Sequence, residues 1–129
     1  MSPSPPHKVL LVDDSHPMLE ALQYLLHDEA DLEVIGVAET GQQALNLIIQ
    51  RSPDVVLLDI HLADLEGYDV TRLAKKLKNP PLVILISANG DPQTRQKGLE
   101  AGSDGFIEKG ADWPKILKQI RQILTQKTS

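Results

Sequence analysis

The chain has 129 residues, no cysteine, a formal net charge of −5 and only 3% aromatic residues. This length suits one domain of ordinary size, and the absence of cysteine excludes disulfides and thiolate metal sites while fitting a cytoplasmic location. The negative charge and the scarcity of aromatic side chains argue against direct nucleic-acid binding, and no apolar stretch approaches the ~20 residues of a membrane span.

Four short runs of apolar residues divide the chain at regular intervals. They occupy residues 9–12, 34–37, 55–58 and 82–86 and consist of Val, Ile and Leu with one Gly. Runs without polar alternation predict strands that are buried on both faces, which is typical of a parallel sheet covered by helices. We extend the first strand to Lys8 and place a fifth strand at Gly105–Glu108.

Two helices are predicted between the first three strands. Ser15 is a suitable N-cap for the first helix, and Pro17 suits its first turn. Thr40 and Gln43 form a capping box that predicts the start of the second helix. The residues expected to face the core are Leu19, Leu22, Leu25 and Leu26 in the first helix and Ala44, Leu45 and Ile48 in the second.

Three further helices are predicted in the second half of the chain. The third begins at Gly67 and ends before two consecutive prolines, because proline cannot continue a helix. The fourth runs from Pro92 to a terminating glycine, Gly102, and Asp112 caps the last helix. The residues expected to face the core are Val70, Leu73, Ala74 and Leu77 in the third helix and Ile116, Leu117, Ile120 and Leu124 in the last.

The alternation of strand and helix, repeated five times, predicts the fold class. It is typical of an α/β doubly wound sheet, here five parallel strands in the order 2-1-3-4-5, in a flavodoxin-like three-layer sandwich. We assign residues 8–125 to this single domain. The Pro- and Ser-rich residues 1–7 are predicted to be a disordered tail, and residues 126–129 a C-terminal tail.

Polar residues stand at the ends of four of the five strands. Asp13 and Asp14 follow the first strand, Asp59 closes the third, Ser87 closes the fourth and Lys109 follows the fifth. In sheets of this kind the carboxyl ends of the strands meet in one crevice where ligands bind. We therefore expect these side chains to converge on a single site.

The three carboxylates predict a metal site. Acids brought this close repel one another, so that they either trap a proton or bind a cation. Oxygen ligands without His or Cys beside them select Mg²⁺ or a similar hard ion. Asp13, Asp14 and Asp59 are thus the candidate ligands from the residues alone.

The remaining groups suit phosphoryl chemistry at Asp59. A carboxylate with an ordinary pKa of about 3.9 is already anionic at neutral pH and can attack a phosphoryl group without a general base. Ser87 can donate a hydrogen bond to a phosphoryl oxygen, and Lys109 can pair with the anion before and after transfer.

The chain resembles the receiver domains of two-component response regulators over essentially the whole predicted domain. The resemblance rests on the acidic pair after the first strand, on Asp59 with Gly67 eight residues later, on Ser87-Ala88 and on Lys109. It implies a phosphorylation-dependent signalling switch rather than an enzyme with a separate substrate. The only catalysis expected is transfer to, and hydrolysis from, its own aspartate.

The resemblance also implies a role for each site residue. Asp59 is the phosphoacceptor, Asp14 binds Mg²⁺ directly, Asp13 binds it through water, and the backbone carbonyl of His61 is a further ligand. A sensor histidine kinase or a phosphotransfer protein would donate the phosphoryl group, and a downstream effector or output protein would read it. The family's behaviour also allows for a homodimer.

Two residues are implied as the switch, and two positions depart from the family pattern. Ser87 is drawn to the phosphoryl group while the aromatic ring of Phe106 moves inward.

The family often has proline where this chain has Ala63, and it often has a cis Lys-Pro bond where this chain has Lys109-Gly110. A cis bond without proline costs about 3 kcal/mol, so we expect a trans bond here. Such departures resemble the receivers joined to helix-turn-helix output domains.

Two other functions remain as alternatives. The first is a receiver-like interaction module that works without phosphorylation. The second is an aspartate-nucleophile phosphatase, a class that carries a D-x-D motif after its first strand, whereas Asp59-Ile60-His61 lacks the second acid and follows the third. His61 and Asn89 either contact the attacking water and tune the lifetime of the phosphoryl group or are ordinary loop residues.

Overall fold

The computed structural model describes residues 5–128, with side chains through residue 126. Strands and helices alternate five times, as the apolar runs predicted. The elements are β1 (His7–Val12), α1 (His16–His27), β2 (Leu32–Ala38), α2 (Gly41–Arg51), β3 (Val55–Asp59), α3 (Gly67–Lys75), β4 (Leu82–Ser87), α4 (Pro92–Ala101), β5 (Gly105–Glu108) and α5 (Trp113–Thr128).

The five strands form one parallel sheet in the order β2-β1-β3-β4-β5. This confirms the predicted α/β doubly wound fold. The strand order reverses between β1 and β3, which are direct neighbours. The residues that follow these two strands therefore share one edge of the sheet.

Two apolar layers flank the sheet. One joins α1 and α5 to one face through residues such as Leu22, Leu57 and Ile120. The other joins α2 and α3 to the opposite face through residues such as Leu58 and Val70. Side chains of β3 alternate between the two layers, so this strand is buried throughout and its last residue, Asp59, is held firmly.

The second apolar run was wrongly predicted to be buried on both faces. β2 is an edge strand, and Val37 is 41% exposed. Its pairing with β1 is interrupted by a bulge next to Val9, where the partner register skips Ile35. The carbonyl of Ile35 accepts a hydrogen bond of 2.5 Å from the Arg51 guanidinium, which covers part of the open edge.

Most predicted helix boundaries are confirmed by their caps. The Ser15 hydroxyl accepts the N–H of Met18 at the start of α1, and Gly102 ends α4 with a φ of 102°. The capping box at α2 is altered: Thr40 accepts the N–H of Gln43 as predicted, but the Gln43 amide oxygen accepts the N–H of Glu39.

The third helix is shorter than predicted, since α3 ends at Lys75 and Leu77 lies beyond it, and its inward face differs from the prediction at Leu73. Leu73 is 46% exposed, because the buried stripe of this helix consists of Gly67, Val70, Thr71 and Ala74. Thr71 lies inside because its hydroxyl donates a 2.8 Å hydrogen bond to the carbonyl of Gly67. A polar residue whose hydroxyl is satisfied within its own helix can be buried without loss.

The first strand and the last helix are longer than predicted. β1 begins at His7, whose N–H donates to the carbonyl of Asp31 at 2.9 Å, rather than at Lys8. α5 continues to Thr128 instead of ending at residue 125, since no glycine or proline follows Leu124 to stop it. Residues 1–4 of the predicted N-terminal tail and Ser129 lie outside the described residues.

Within residues 5–128, every helix is too short or too polar to cross a lipid bilayer.

Candidate functional site

Three aspartates converge at the carboxyl edge of the sheet. Asp13 and Asp14 follow β1, and Asp59 ends the neighbouring strand β3. Carboxylate oxygens of the three residues lie within 4.8 Å of one another. Asp13 and Asp59 are almost fully buried, whereas Asp14 is exposed. The predicted convergence of these acids is therefore present in the fold.

Lys109 reaches the same cluster from the far edge of the sheet. Its Nζ lies 3.1 Å from an oxygen of Asp13 and 3.6 Å from an oxygen of Asp59. Its backbone N–H donates to the carbonyl of Ser87 at 2.7 Å, which fixes the start of the β5–α5 connection. Burial would lower the pKa of Lys109, but the hydrogen bond to Asp13 and the charge of Asp59 outweigh it and raise that pKa.

Asp59 is unusual among the acids of the chain because its pKa is raised to about 6. Burial is the main cause, and the negative charge of Asp13 adds to it, while Lys109 and the His61 N–H act in the opposite direction. One ammonium group does not neutralise three neighbouring carboxylates. The site therefore favours an additional positive charge close to Asp59.

The donor set fits a hard divalent cation such as Mg²⁺. The available ligands are carboxylate oxygens, and that of Asp14 is exposed to solvent. Among the described residues, these three acids form the group whose ligand atoms lie close enough together to hold a metal ion. The backbone of His61 lies beside the cluster, since its N–H donates to Asp59 Oδ1 at 3.3 Å. The imidazole of His61 is exposed and paired with Glu66 at 3.3 Å.

Ser87 is buried at the end of β4, the strand next to Asp59. Residue 86 is the register partner of Asp59, so Ser87 stands one position beyond it at the same edge. The Ser87 oxygen accepts the N–H of Asn89 at 3.1 Å. Because this hydrogen bond uses the oxygen of Ser87 as acceptor, the hydroxyl can still donate a hydrogen bond to an oxygen bound at Asp59.

Phe106 lies on β5, half-buried against the layer that contains Leu85, its register partner on β4. The guanidinium of Arg95, on α4, lies 4.6 Å from the centre of its ring. Arg95 also donates from Nε to the carbonyl of Gly90 at 3.0 Å. Sequence reasoning missed this residue, because nothing in the spacing from α4 to β5 indicates the contact.

The two departures from the family pattern have simple structural outcomes. The peptide bond between Lys109 and Gly110 is trans, as expected, like every other peptide bond among the described residues. Gly110 has a φ of 95°, a conformation that glycine adopts readily and that turns the chain toward α5. Ala63 is exposed in the β3–α3 loop.

Gly67 is required where α3 begins, directly behind the phosphoacceptor candidate. A Cβ at this position would lie 2.6 Å from the carbonyl oxygen of Asp59 and 2.7 Å from Cα of Ile60. The Gly67 N–H also donates to the carbonyl of Ile60 at 2.5 Å. The loop after β3 therefore closes on itself only because residue 67 has no side chain.

Gly67→Ala is expected to lower the free energy of unfolding by about 2–3 kcal/mol, since the backbone atoms it would meet cannot move aside cheaply. Urea denaturation measures the change. Gly36→Ala is the matched control, because its nearest contact is the flexible end of Arg51 at 3.2 Å, and a loss below about 1 kcal/mol is expected. Equal losses in the two variants would contradict the close approach at Gly67.

Comparison with known proteins identifies relatives over nearly the whole chain. The sequence matches the family described as the response regulator receiver domain over residues 9–121. Sensory transduction protein LytT of Bacillus cereus is 34% identical over 122 residues, which are 95% of this chain and 49% of LytT. A protein-glutamate methylesterase/protein-glutamine glutaminase of Syntrophus aciditrophicus is 33% identical over 104 residues, 79% of this chain and 30% of that protein.

Solved structures show the same fold. The response regulator domain of Thermotoga maritima CheB superposes with a TM-score of 0.85 at 30% identity and covers 93% of this chain and 97% of its own. The signal receiver domain assigned to the response regulator NarL of Mycobacterium tuberculosis gives a TM-score of 0.85 at 31% identity, covering 92% and 96%.

These matches differ in how much of each relative they include. The chain spans about half the length of LytT and less than a third of the methylesterase, but almost all of the two solved domains. The similarity therefore concerns the domain that these proteins share. On this evidence from sequence and fold, the chain belongs to the response regulator receiver domain family, whose members act in two-component signalling.

Proposed function

We propose that this chain is a phosphorylation-dependent signalling switch whose phosphoacceptor is Asp59. The observation that carries the proposal is the grouping of a buried carboxylate, two further acids and one lysine at the carboxyl edge of the sheet. The phosphoryl group would come from a sensor histidine kinase or a phosphotransfer protein. The chain would act on its own aspartate only, not on a separate substrate.

In the proposed reaction an oxygen of Asp59 forms a bond to phosphorus as the P–N bond of the phosphohistidine donor breaks. The imidazole leaves with the electron pair of that bond and takes up a proton. Lys109 lies between Asp13 and Asp59, where its charge balances the phosphoryl oxygens as they arrive. The Ser87 hydroxyl donates a hydrogen bond to one of those oxygens while its own oxygen accepts the N–H of Asn89.

A Mg²⁺ ion would be held by Asp13, Asp14, Asp59 and the backbone carbonyl of His61. When bound, it supplies positive charge that offsets the negative charge of the three acids and of the phosphoryl group. Asp13 is oriented for this role by the N–H of Ser15, which donates to its Oδ1 at 2.9 Å. Asp14 is exposed, so its carboxylate would be accessible to an ion from solvent.

The proposed signal is a change in the positions of Ser87 and Phe106. When Ser87 is drawn to the phosphoryl group, space opens beside β4 and the half-buried ring of Phe106 turns inward. Phe106 has no hydroxyl group, so the new position is read through packing alone. A downstream effector or output protein would distinguish the two arrangements, and a homodimer is one form that such recognition can take.

We further place the switch in the cytoplasm and assign residues 8–125 to the receiver domain. The cytoplasm is the compartment in which a sensor kinase's phosphohistidine and Mg²⁺ are both available to the chain. The formal net charge of −5 and the aromatic content of only 3% argue against nucleic-acid binding by this domain itself.

The proposal is tested by incubating the protein with Mg²⁺ and either acetyl phosphate or a phosphoramidate and measuring its intact mass. We expect one adduct of about 80 Da that survives acid and is lost in base, as an acyl phosphate should be. Omission of Mg²⁺ should prevent its formation. No adduct with any donor would contradict the proposal and favour a phosphorylation-independent interaction module, while turnover of small phosphate esters would indicate a phosphatase.

A further inference from the structure

The loop between β3 and α3, residues 60–66, is attached to a second helix of the domain. Asp64 lies at the tip of this loop, and its two carboxylate oxygens accept the N–H groups of Gly41 at 2.7 Å and Gln42 at 3.0 Å. These are the first two residues of α2, whose N–H groups have no partner within the helix. The same two hydrogen bonds hold the pKa of Asp64 below its usual range.

Apolar packing reinforces this attachment. Leu65, which follows Asp64, is half-buried in the layer between the sheet and the helices α2 and α3. A Cβ added to Gly41 would lie 2.9 Å from the Leu65 side chain, so the loop touches the helix where no side chain intervenes. The tip of the loop is thus fixed by two charged hydrogen bonds and a close apolar contact.

The base of the same loop is closed independently. The Gly67 N–H donates to the carbonyl of Ile60, and His61 and Glu66 form an antiparallel bridge. The backbone of His61 therefore lies between the base of the loop, which is fixed at Gly67, and the tip of the loop, which is fixed at Asp64. Its N–H is the group that donates to Asp59 Oδ1.

We propose that Asp64 is a positioning residue for the site: by holding the loop tip against α2, it sets the backbone of His61 beside Asp59 and thereby the affinity of the site for Mg²⁺. Asp64 does not belong to the carboxylate cluster and acts only through the loop backbone. This inference rests on the proposed function, because the metal it serves is the one required for phosphoryl transfer to Asp59.

The competing explanation is that Asp64 merely caps α2. The chain offers a matched control for that role, since the hydroxyl of Thr40 caps the same helix by accepting the N–H of Gln43 at 3.1 Å, a hydrogen bond in which the loop takes no part. Thr40→Ala removes a cap from α2 and leaves the loop attached. Asp64→Ala removes a cap and also releases the loop.

The experiment compares both variants with the wild-type chain by two-dimensional NMR. The dissociation constant for Mg²⁺ is measured from the backbone amide shifts of Asp59 and His61, and hydrogen exchange of the His61 amide is measured without metal. We expect Asp64→Ala to weaken Mg²⁺ binding roughly tenfold, as is usual when a group that orients a metal ligand is lost, and to accelerate exchange at His61. Asp64→Asn keeps one acceptor oxygen and should fall between.

Thr40→Ala should lose stability to urea but keep both the Mg²⁺ affinity and the His61 exchange rate of the wild type. Equal effects of the two alanine variants, or an unchanged His61 amide in Asp64→Ala, would overturn the inference. The exchange measurement needs neither metal nor phosphoryl group. A wild-type chain that takes no phosphoryl group would therefore refute the proposed function while the loop comparison still decides the role of Asp64.

Discussion

Asp59→Asn is expected to abolish the phosphoryl adduct and, without Mg²⁺, to make the fold more stable than the wild type at pH 8. The first effect follows because an amide oxygen is a poor nucleophile toward phosphorus. The second follows because the native fold holds Asp59 in a buried position beside Asp13, which raises its pKa to about 6. If Asp59 serves phosphoryl transfer and its burial destabilises the fold, then its replacement should both abolish the adduct and increase stability.

The sign of the stability change depends on pH. The pKa of Asp59 is about 6 in the fold against an ordinary value of 3.8, so the native state binds more protons than the unfolded chain between these values. The free energy of unfolding therefore falls as the pH rises from about 4 to 6 and stays low above 6. The amide introduced by Asp59→Asn carries no charge at any pH, so the advantage of the variant should be absent near pH 4 and complete by pH 8.

A difference of about two pKa units corresponds to about 3 kcal/mol. We expect the free energy of unfolding of Asp59→Asn to exceed that of the wild type at pH 8 by about 1–3 kcal/mol, because the loss of one of the two partners of Lys109 offsets part of the gain. Urea unfolding from pH 4 to 8 in the presence of a chelator measures it. Asp69→Asn is the control, because its carboxylate is half-exposed and paired with Arg72. A variant no more stable than the wild type at pH 8 would contradict the buried repulsion at Asp59.

The sheet and the position of the acids could be predicted because both depend on local patterns. An unbroken apolar run indicates a buried parallel strand, and the residue that follows it must lie at the carboxyl edge. These patterns alone predict that Asp13, Asp59, Ser87 and Lys109 lie at one edge of the sheet. The fold brings the three aspartate carboxylates within 4.8 Å and the ammonium of Lys109 between two of them.

The features that could not be predicted depend on contacts between distant segments. β2 has the same apolar composition as the central strands, and only its place at the edge of the sheet exposes Val37. The attachment of Asp64 to α2 joins residues 22 and 23 positions apart, and the contact of Arg95 with Phe106 depends on how α4 packs against β5. Sequence periodicity cannot predict these contacts, because each of them joins one particular pair of residues and does not recur along the chain.

Lys109→Ala is expected to separate phosphorylation from signalling. The variant keeps Asp59, the other acids and the Ser87 hydroxyl, so it should still take up a phosphoryl group, about 100-fold more slowly because one charge that stabilises transfer is lost. The change should nevertheless not reach Phe106, because without the Lys109 ammonium the phosphoryl oxygens lose the charge that holds them in the position to which Ser87 is drawn. Lys109 directly follows β5, and its ammonium contacts Asp13 and Asp59, so its side chain connects the acids to the end of that strand.

Phe106 provides the measurement, because it is the single phenylalanine of the chain and its ring signals in NMR spectra are unambiguous. In the wild type we expect these signals to shift once Asp59 carries the phosphoryl group; in Lys109→Ala, loaded to the same extent by mass, they should stay in place. Lys118→Ala removes an exposed lysine of α5 and should behave as the wild type. A full shift of the Phe106 ring in Lys109→Ala would show that Ser87 alone transmits the change, and the link through Lys109 would then be wrong.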